Sequence, residues 1–455
     1  MDKQAFLDAV RAAGIVGEGG AGFPAHVKYA ATVDTVIANG CECEPLLHTD
    51  QHIILAHAAE IVRAFLALKE ATGASRAVIA LKRKYTQSIA VLRAAIGSAP
   101  VELALLDNFY PAGDEQTLVR EVTGRSVPPL GLPLHVGCVV ANVGSLYSVA
   151  RALGFAGQGP QPFFMKTVTV TGDVANPGVL EAPLGTPLME CLAAAGGPTV
   201  ADPVFVIGGP MMGRMVESVD ALSRETVTKT TGGLIVLPRG HYLHRNATQS
   251  VERMRRRAAA SCIQCRSCSE QCPRHLLGHP FETHRVMRAF GAGQEMVVEC
   301  AKQALLCCDC GVCEHFACPM GLSPRRINQA VKAAFRAQKI AYDGPRDINE
   351  GQTTWRPMRR VPVPRLASRL DIVRYMDLPT AELGVLQPSK VSISLRQHIG
   401  APAVAVVKPG DHVQAGDLIG DIPVGQDGKP ALCARVHASI SGVVQSVDGA
   451  VVIGK

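Results

Sequence analysis

The sequence predicts a multi-domain α/β protein with a helical, metal-binding segment in its second half and an all-β module at its end. Three observations carry that prediction: two cysteine runs at 262–273 and 307–319, a glycine-rich loop feeding a strand near the amino end, and closely spaced short strands after residue 385. At about 100–200 residues per domain, 455 residues make three or four domains. Apolar residues make up 47 % and charged residues 19 %, a globular balance, and 44 glycines with 30 prolines imply many tight turns. A net charge of +7 with only 4 % aromatic residues lacks the basic, stacking surface of a nucleic-acid binder, so no DNA or RNA partner is expected.

The chain opens with MDKQAFLDAVRAAG, which has neither the basic start nor the long apolar core of a secretory signal, so a cytoplasmic protein is expected. Phe6, Leu7 and Val10 give this segment one apolar helical face. GIVGEGGAGFPAHVK follows from Gly14 to Lys28, with five glycines in nine residues. Such a loop lets the backbone approach a ligand and offers N–H groups to a phosphate, although alone it is more often a plain turn. Next comes the strand-like VDTVIANG, running into Cys41, Glu42, Cys43, Glu44 and Pro45. Carboxylates then stand at a strand end, where α/β folds bind ligands; their competing reading is solvated turn carboxylates.

Residues 165–240 alternate apolar strands around Asn176-Pro177-Gly178 and end in VFVIGGPMMG and GGLIVLP, a small β domain. The Gly208–Gly213 stretch reads as a tight turn, with an approach to a cofactor as the lesser alternative. Before the first cysteine run, Arg253, Arg255, Arg256 and Arg257 read as a solvated helix face, with docking of an acidic partner as the minority reading.

CIQCRSCSEQCP places Cys262, Cys265, Cys268 and Cys272 in the C-x2-C-x2-C-x3-C-P spacing of bacterial two-cluster ferredoxins. In that pattern three sulfurs wrap one cubane and the fourth ligates its neighbour, so a second run is required. CCDCGVCEHFACP supplies it, with Cys307, Cys310 and Cys313 as triplet and Cys318 one residue later than the pattern expects. The predicted sets are Cys262, Cys265, Cys268 and Cys318 on one [4Fe-4S] cluster, and Cys307, Cys310, Cys313 and Cys272 on the other. Zinc is the competing metal, but its sites come as separated C-x2-C pairs. Cys308, Cys41, Cys43, Cys138, Cys191, Cys300 and Cys433 lack ligand spacing and read as core thiols or bystanders. The stretch between the runs is helix-compatible, residues 338–384 read as a Pro- and Arg-rich linker or wrapping arm that Trp355 could anchor, and the end of the chain reads as short strands. No run reaches about 18 apolar residues, so no membrane insertion is expected.

GEGGAGFPAHVK, NGCECEP, YPAGDEQ at 110–116 and ANVGSLYSV at 141–149 resemble, in order, the flavin-binding segments of the 51-kDa flavoprotein of complex I. They are closer to the C component of the Rnf complex and to the Pdu-type cobalamin reductases. The resemblance implies an FMN- and NADH-binding domain at 1–160, an SLBB β-grasp domain at 161–245 and a helical two-cluster ferredoxin domain at 246–337. After the arm it implies a barrel-sandwich hybrid at 385–455, placed last as in the reductases and without a lipoyl or biotinyl lysine hairpin. Gly17, Gly19, Gly20, Gly22 and Lys28 would cradle the FMN phosphate and ribityl chain. Asn39, Glu42 and Asn142 would meet the flavin or its phosphate, and Gly113, Asp114 and Glu115 would line the nicotinamide side. Asp114 stands where the complex I pattern has glutamate.

The implied function is electron transfer from NADH through FMN and two clusters to a one-electron acceptor, with no protein side chain as chemical catalyst. By resemblance the acceptor is cob(II)alamin, serving a B12-dependent diol dehydratase in a bacterial microcompartment. The expected partners are a corrinoid enzyme or adenosyltransferase and a shell protein. Two alternatives stand beside this: an Rnf-like relay to a protein partner, and a non-catalytic zinc scaffold.

Overall fold

The amino-terminal sheet is built around three strands buried almost throughout, as expected of parallel strands covered by helices, with a partly exposed strand at its edge. In the computed structural model, which describes residues 1–425 and 428–455, these are β1 (Thr35–Gly40), β2 (Arg76–Lys82), β3 (Glu102–Leu106) and, after the short β4 (Phe109–Tyr110), β5 (Cys138–Asn142). They lie in the order β3-β2-β1-β5, all parallel. Strand order therefore reverses between β1 and β5, and the crevice beyond their carboxyl ends is where such sheets bind ligands. The helix Thr49–Thr72 is long and apolar enough to cross a membrane by length and composition. Its Ile53, Ile54, Ile61, Phe65 and Leu68 instead fill the core with Val36 and Ile79 of the sheet.

Strands β6 (Met165–Gly172), β7 (Gly178–Pro183), β8 (Pro203–Ile207), β9 (Arg214–Val216) and β10 (Gly233–Pro238) make a second, mixed sheet. The helix Leu188–Ala194 packs Leu188 and Leu192 into its core. Helices Val251–Ser261, Thr283–Gly291 and Pro324–Ala337 enclose Met254, Met287, Phe290, Ile327 and Phe335 and carry the cysteine runs at their ends.

The Pro- and Arg-rich segment is a strap with its own contacts. Strand β11 (Val361–Pro362) pairs with β4, and β12 (Ala381–Val385) pairs with β7 at the edge of the second sheet. Between them the helix Val363–Leu370 buries Val363, Leu366, Ala367 and Leu370, one helical face. Its buried valine and leucine side chains contribute about 1.5–3 kcal/mol each on burial. Trp355 is 59 % exposed. The anchoring is done by this apolar face and by Glu121, which accepts from Arg360 through both oxygens at 2.7 Å and also pairs with Arg356.

The last module has two small sheets. Strands β13 (Lys390–Ser394), β15 (His412–Val413), β18 (Gly442–Val447) and β19 (Ala450–Gly454) form one, and β14 (Val404–Ala405), β16 (Leu418–Asp421) and β17 (Val436–His437) the other. Ile393, Ile419, Val436 and Ile453 lie between them.

Candidate flavin and cluster sites

The glycine loop crosses the switch-point crevice. A Cβ on Gly19 would lie 3.3 Å from the Asn142 side-chain amide, and one on Gly20 would meet nothing within 4 Å. Asn142 ends β5 and caps the helix Val143–Ala152, its Oδ1 accepting from the Gly144 N–H at 2.8 Å. Loop N–H groups and a helix amino terminus together make a phosphate site. The residues present therefore fit a flavin phosphate: the cradle is open over Gly20, and its wall is a capped helix start.

Carboxylates line the rest of the crevice. Glu42 accepts from the Thr49 hydroxyl at 2.8 Å and the Asp50 N–H at 3.2 Å, while its Oε2 is buried without a partner. Asp50 in turn accepts from the Asn142 amide at 2.9 Å. Burial, and then the charge of Glu42, hold the Asp50 carboxyl well above the usual range. Asn39 donates to the Gly113 carbonyl at 2.9 Å, and the Gly113 N–H points at the Cys43 sulfur. Lys28 is paired with Glu115. The structure thus brings together Gly19, Asn142, Glu42, Asn39, Gly113, Lys28 and Glu115. It adds Asp50, Glu18 and Lys166, which the sequence reading missed. Glu18 accepts from Ser148 at 2.8 Å and pairs with Lys166, both nearly buried.

Asp114 is placed differently from its expected position on the nicotinamide side. Its carboxylate caps the helix Glu115–Thr123 through the Thr117 N–H at 3.0 Å and takes both arms of Arg274 at 2.6 and 2.9 Å. Burial works against the charge, but Arg274 and the Thr117 hydrogen bonds outweigh it and hold the carboxyl below its usual value. Arg274 follows Cys272 by two residues, so the flavin-side loop is bolted to a cluster run.

Cys262, Cys265, Cys268 and Cys318 line one pocket together with Arg266, His284 and Met287. The extra residue before Cys318 is absorbed by a single π-helical turn, Cys313–Ala317, which accommodates one additional residue without breaking the helix. The other four sulfurs lie close together: burial, then Cys307, Cys272 and Cys268, raise the Cys313 thiol, while the Cys308 hydrogen bond, burial, and then Cys272 and Cys313 raise Cys310. Cys308, read as a bystander, sits inside this set beside Cys310 and Arg274. Among the described residues no three or more His, Cys, Asp or Glu side chains close on a single ion. Tetrahedral zinc needs ligand atoms at about 2.0–2.3 Å, whereas sulfurs spread around a pocket suit a larger inorganic cluster. The Asp309 N–H lies 3.3 Å from the Cys307 sulfur and the Leu322 N–H 3.4 Å from that of Cys318, the kind of hydrogen bond that tunes cluster potentials.

Two further contacts join the sites. Tyr110, three residues before Gly113, donates its buried hydroxyl to the Cys310 carbonyl at 2.7 Å. Glu44 accepts from the Met211 N–H at 2.8 Å, and the Met211 carbonyl accepts from Arg325 at 2.7 Å. Burial pushes the Glu44 carboxyl up to about 7. A Cβ on Gly209 would fall 2.2 Å from Glu44, so the 208–213 turn is also a wedge between the flavin domain and the cluster domain.

The fold and these sites define a flavin and iron–sulfur electron-transfer protein. Models of four families match in order: the Nuo51 FMN-binding domain over residues 10–151, the SLBB domain over 167–214, the 4Fe-4S dicluster domain over 261–323 and the RnfC barrel sandwich hybrid domain over 381–454. Cobalamin reductase PduS of Citrobacter freundii is 42 % identical over 447 residues, covering 98 % of this chain and 95 % of that one. PduS of Salmonella typhimurium strain LT2 is 44 % identical, covering 97 % and 94 %. The C component of the Na(+)-translocating ferredoxin:NAD(+) oxidoreductase complex of Acetobacterium woodii is 34 % identical, covering 61 % and 59 %. The NAD+-reducing [NiFe]-hydrogenase in its H2-reduced state has a TM-score of 0.50 at 25 % identity, covering 78 % of this chain and 67 % of that one. The chain belongs to the PduS cobalamin reductase family.

Proposed function

We propose that this protein is an NADH-dependent reductase that moves electrons through FMN and two [4Fe-4S] clusters to cob(II)alamin. The observation that carries the reading is the physical join between the two sites. Tyr110 and Asp114, on the loop that includes Gly113, reach the Cys310 carbonyl and Arg274 of the cluster domain. Near-full-length similarity to two cobalamin reductases supports the choice of acceptor.

FMN held in this crevice would supply the conversion between the two electrons of a nicotinamide and the single electrons a cluster accepts. The protein's part is to hold and orient. The Gly17–Gly22 loop and the Asn142 cap would hold the phosphate, Asn39 and Glu42 the flavin edge, and Gly113 and Glu115 the nicotinamide side. Glu44, buried with a carboxyl near neutral, can keep a proton at its unpartnered Oε1. Cys272, Cys307, Cys310 and Cys313 would carry the cluster next to the flavin domain, and Cys262, Cys265, Cys268 and Cys318 the outer one.

By the same reading the protein works in the cytoplasm inside a microcompartment, beside a corrinoid enzyme or adenosyltransferase and a shell protein. Anaerobic NADH titration of the reconstituted chain tests the core of the proposal. Flavin bleaching followed by cluster signals in EPR, and then cob(I)alamin on adding cob(II)alamin, is expected. Flavin that NADH does not bleach refutes it.

A further inference from the structure

The outer cysteine set opens at the surface. Cys265 is exposed, and Ile263 and Met320, which line the same pocket, are 62 % and 41 % exposed. These two side chains place large apolar tips beside the pocket that the outer cysteines line. The inner set is more enclosed: Cys272, Cys310 and Cys313 are buried and Cys307 is half-buried, with Tyr110 bonded to the Cys310 carbonyl.

Arginines surround this opening. Residues 251–292 contain eight arginines, no lysine and three glutamates. Arg257 reaches the Gly321 carbonyl at 2.9 Å, directly beside Met320, and Arg253 lies one turn earlier on the same helix. Arg285 and Arg288 are the exposed positions of the helix that presents His284 and Met287 to the pocket. The nearby acids are largely answered: Glu252 pairs with Arg256, Glu270 with Arg359, and Glu282 faces both Arg266 and Arg285 and so balances only one of them. Arg253, Arg257 and Arg288 enter no ion pair among the described residues.

We propose that the Ile263–Met320 face is the electron exit of the protein, and that it docks an acidic protein carrying a one-electron centre. The inference rests on the reading that the two cysteine sets hold clusters. Each docking event reoxidises the outer cluster by one electron and reduces the partner's centre by one, so two events discharge one NADH. An apolar centre inside a ring of like charge suits a small, short-lived interface in which electrostatics sets the encounter rate. Free corrin carries no comparable acidic surface and gains nothing from the ring.

The test uses the full reconstituted chain, NADH, and two haem proteins of opposite surface charge as acceptors: acidic cytochrome b5 and basic cytochrome c. EPR of the NADH-reduced protein is recorded first. The proposal expects cytochrome b5 reduction to fall about tenfold or more between low and high salt, within the 10–10³ range of electrostatic steering. In the Arg253→Glu/Arg288→Glu variant it expects a similar loss with cytochrome b5, a gain with cytochrome c, and unchanged EPR signals. Salt-insensitive b5 reduction, equal effects on both cytochromes, or reduction of free cob(II)alamin alone overturns the exit assignment. Clusters that NADH does not reduce overturn the underlying reading, and the exit with it.

Discussion

Removing the Arg274 side chain should turn a domain junction into its weakest point. The ion pair with Asp114 is bidentate at 2.6 and 2.9 Å, and the two side chains are only 10 % and 17 % exposed. Deleting one partner of a buried pair costs about 3–5 kcal/mol, because the remaining charge is left without compensation. Arg274→Met should lose that amount at pH 7. Asp114→Asn should lose slightly less of its helix start, since asparagine caps as well as aspartate, but it strands the guanidinium. The double variant Asp114→Asn/Arg274→Met removes both charges and should recover much of the loss.

The pH dependence supplies a sign. In the wild type the Asp114 carboxyl is depressed, so its contribution is present above the unfolded value of about 3.9 and is lost as pH falls through the folded value. Without Arg274, burial, the largest effect on the carboxyl, is opposed chiefly by the Thr117 hydrogen bonds and raises it, so the Arg274→Met deficit should shrink between pH 7 and pH 5. Denaturant midpoints of the four proteins at both pH values form the cycle. Additive losses, or an Arg274→Met deficit that grows at pH 5, would refute the reasoning.

Tyr110→Phe leaves the Cys310 carbonyl without its buried donor, worth about 1–3 kcal/mol, and should alter the EPR signal of one cluster while the flavin spectrum stays constant. Gly20→Ala, whose Cβ enters open space, should fold normally but weaken FMN binding, measured by flavin fluorescence. Gly22→Ala combines a φ of +74° with a 2.9 Å approach to the His398 Cβ and should lower the melting temperature instead. Lys229 is buried and its amine is lowered to about 7 by burial. From pH 7 to about 10.4 the unfolded chain then binds more protons, so stability should rise with pH, and Lys229→Met should flatten that slope.

What was legible in the sequence follows from how local each signal is. The cysteine runs could be read because their chemistry lies in spacing over a dozen residues, and the interleaving follows from the same spacing. The π turn that brings Cys318 into the first set could not be read, since one extra residue does not say how the backbone absorbs it. The glycine loop, Asn39, Glu42 and Asn142 were found as motifs. Asp50, Lys166 and Arg274 were not, because each acts on a partner about 90 to 160 residues away and carries no local pattern. The Arg274 partner of Asp114 was invisible for the same reason: a carboxylate at a loop end looks available until its distant partner is known. In the strap, the spacing of Val363, Leu366, Ala367 and Leu370 was there to be read, but the surrounding prolines and arginines drew attention to the exposed Trp355 instead.

The buried amine of Lys229 donates to the Gly14 carbonyl at 2.7 Å and to the Arg435 carbonyl at 2.6 Å, and the Ile399 N–H reaches the Ala21 carbonyl at 3.1 Å. The glycine loop is therefore held at both ends by parts of the chain synthesised long after it. Chains are synthesised from the amino end at about 5–20 residues per second, so the loop waits tens of seconds on the ribosome for the strands that fix it. Tight flavin uptake then becomes a mark of completed synthesis, and a prematurely ended chain remains colourless at this site even when its first domain has folded.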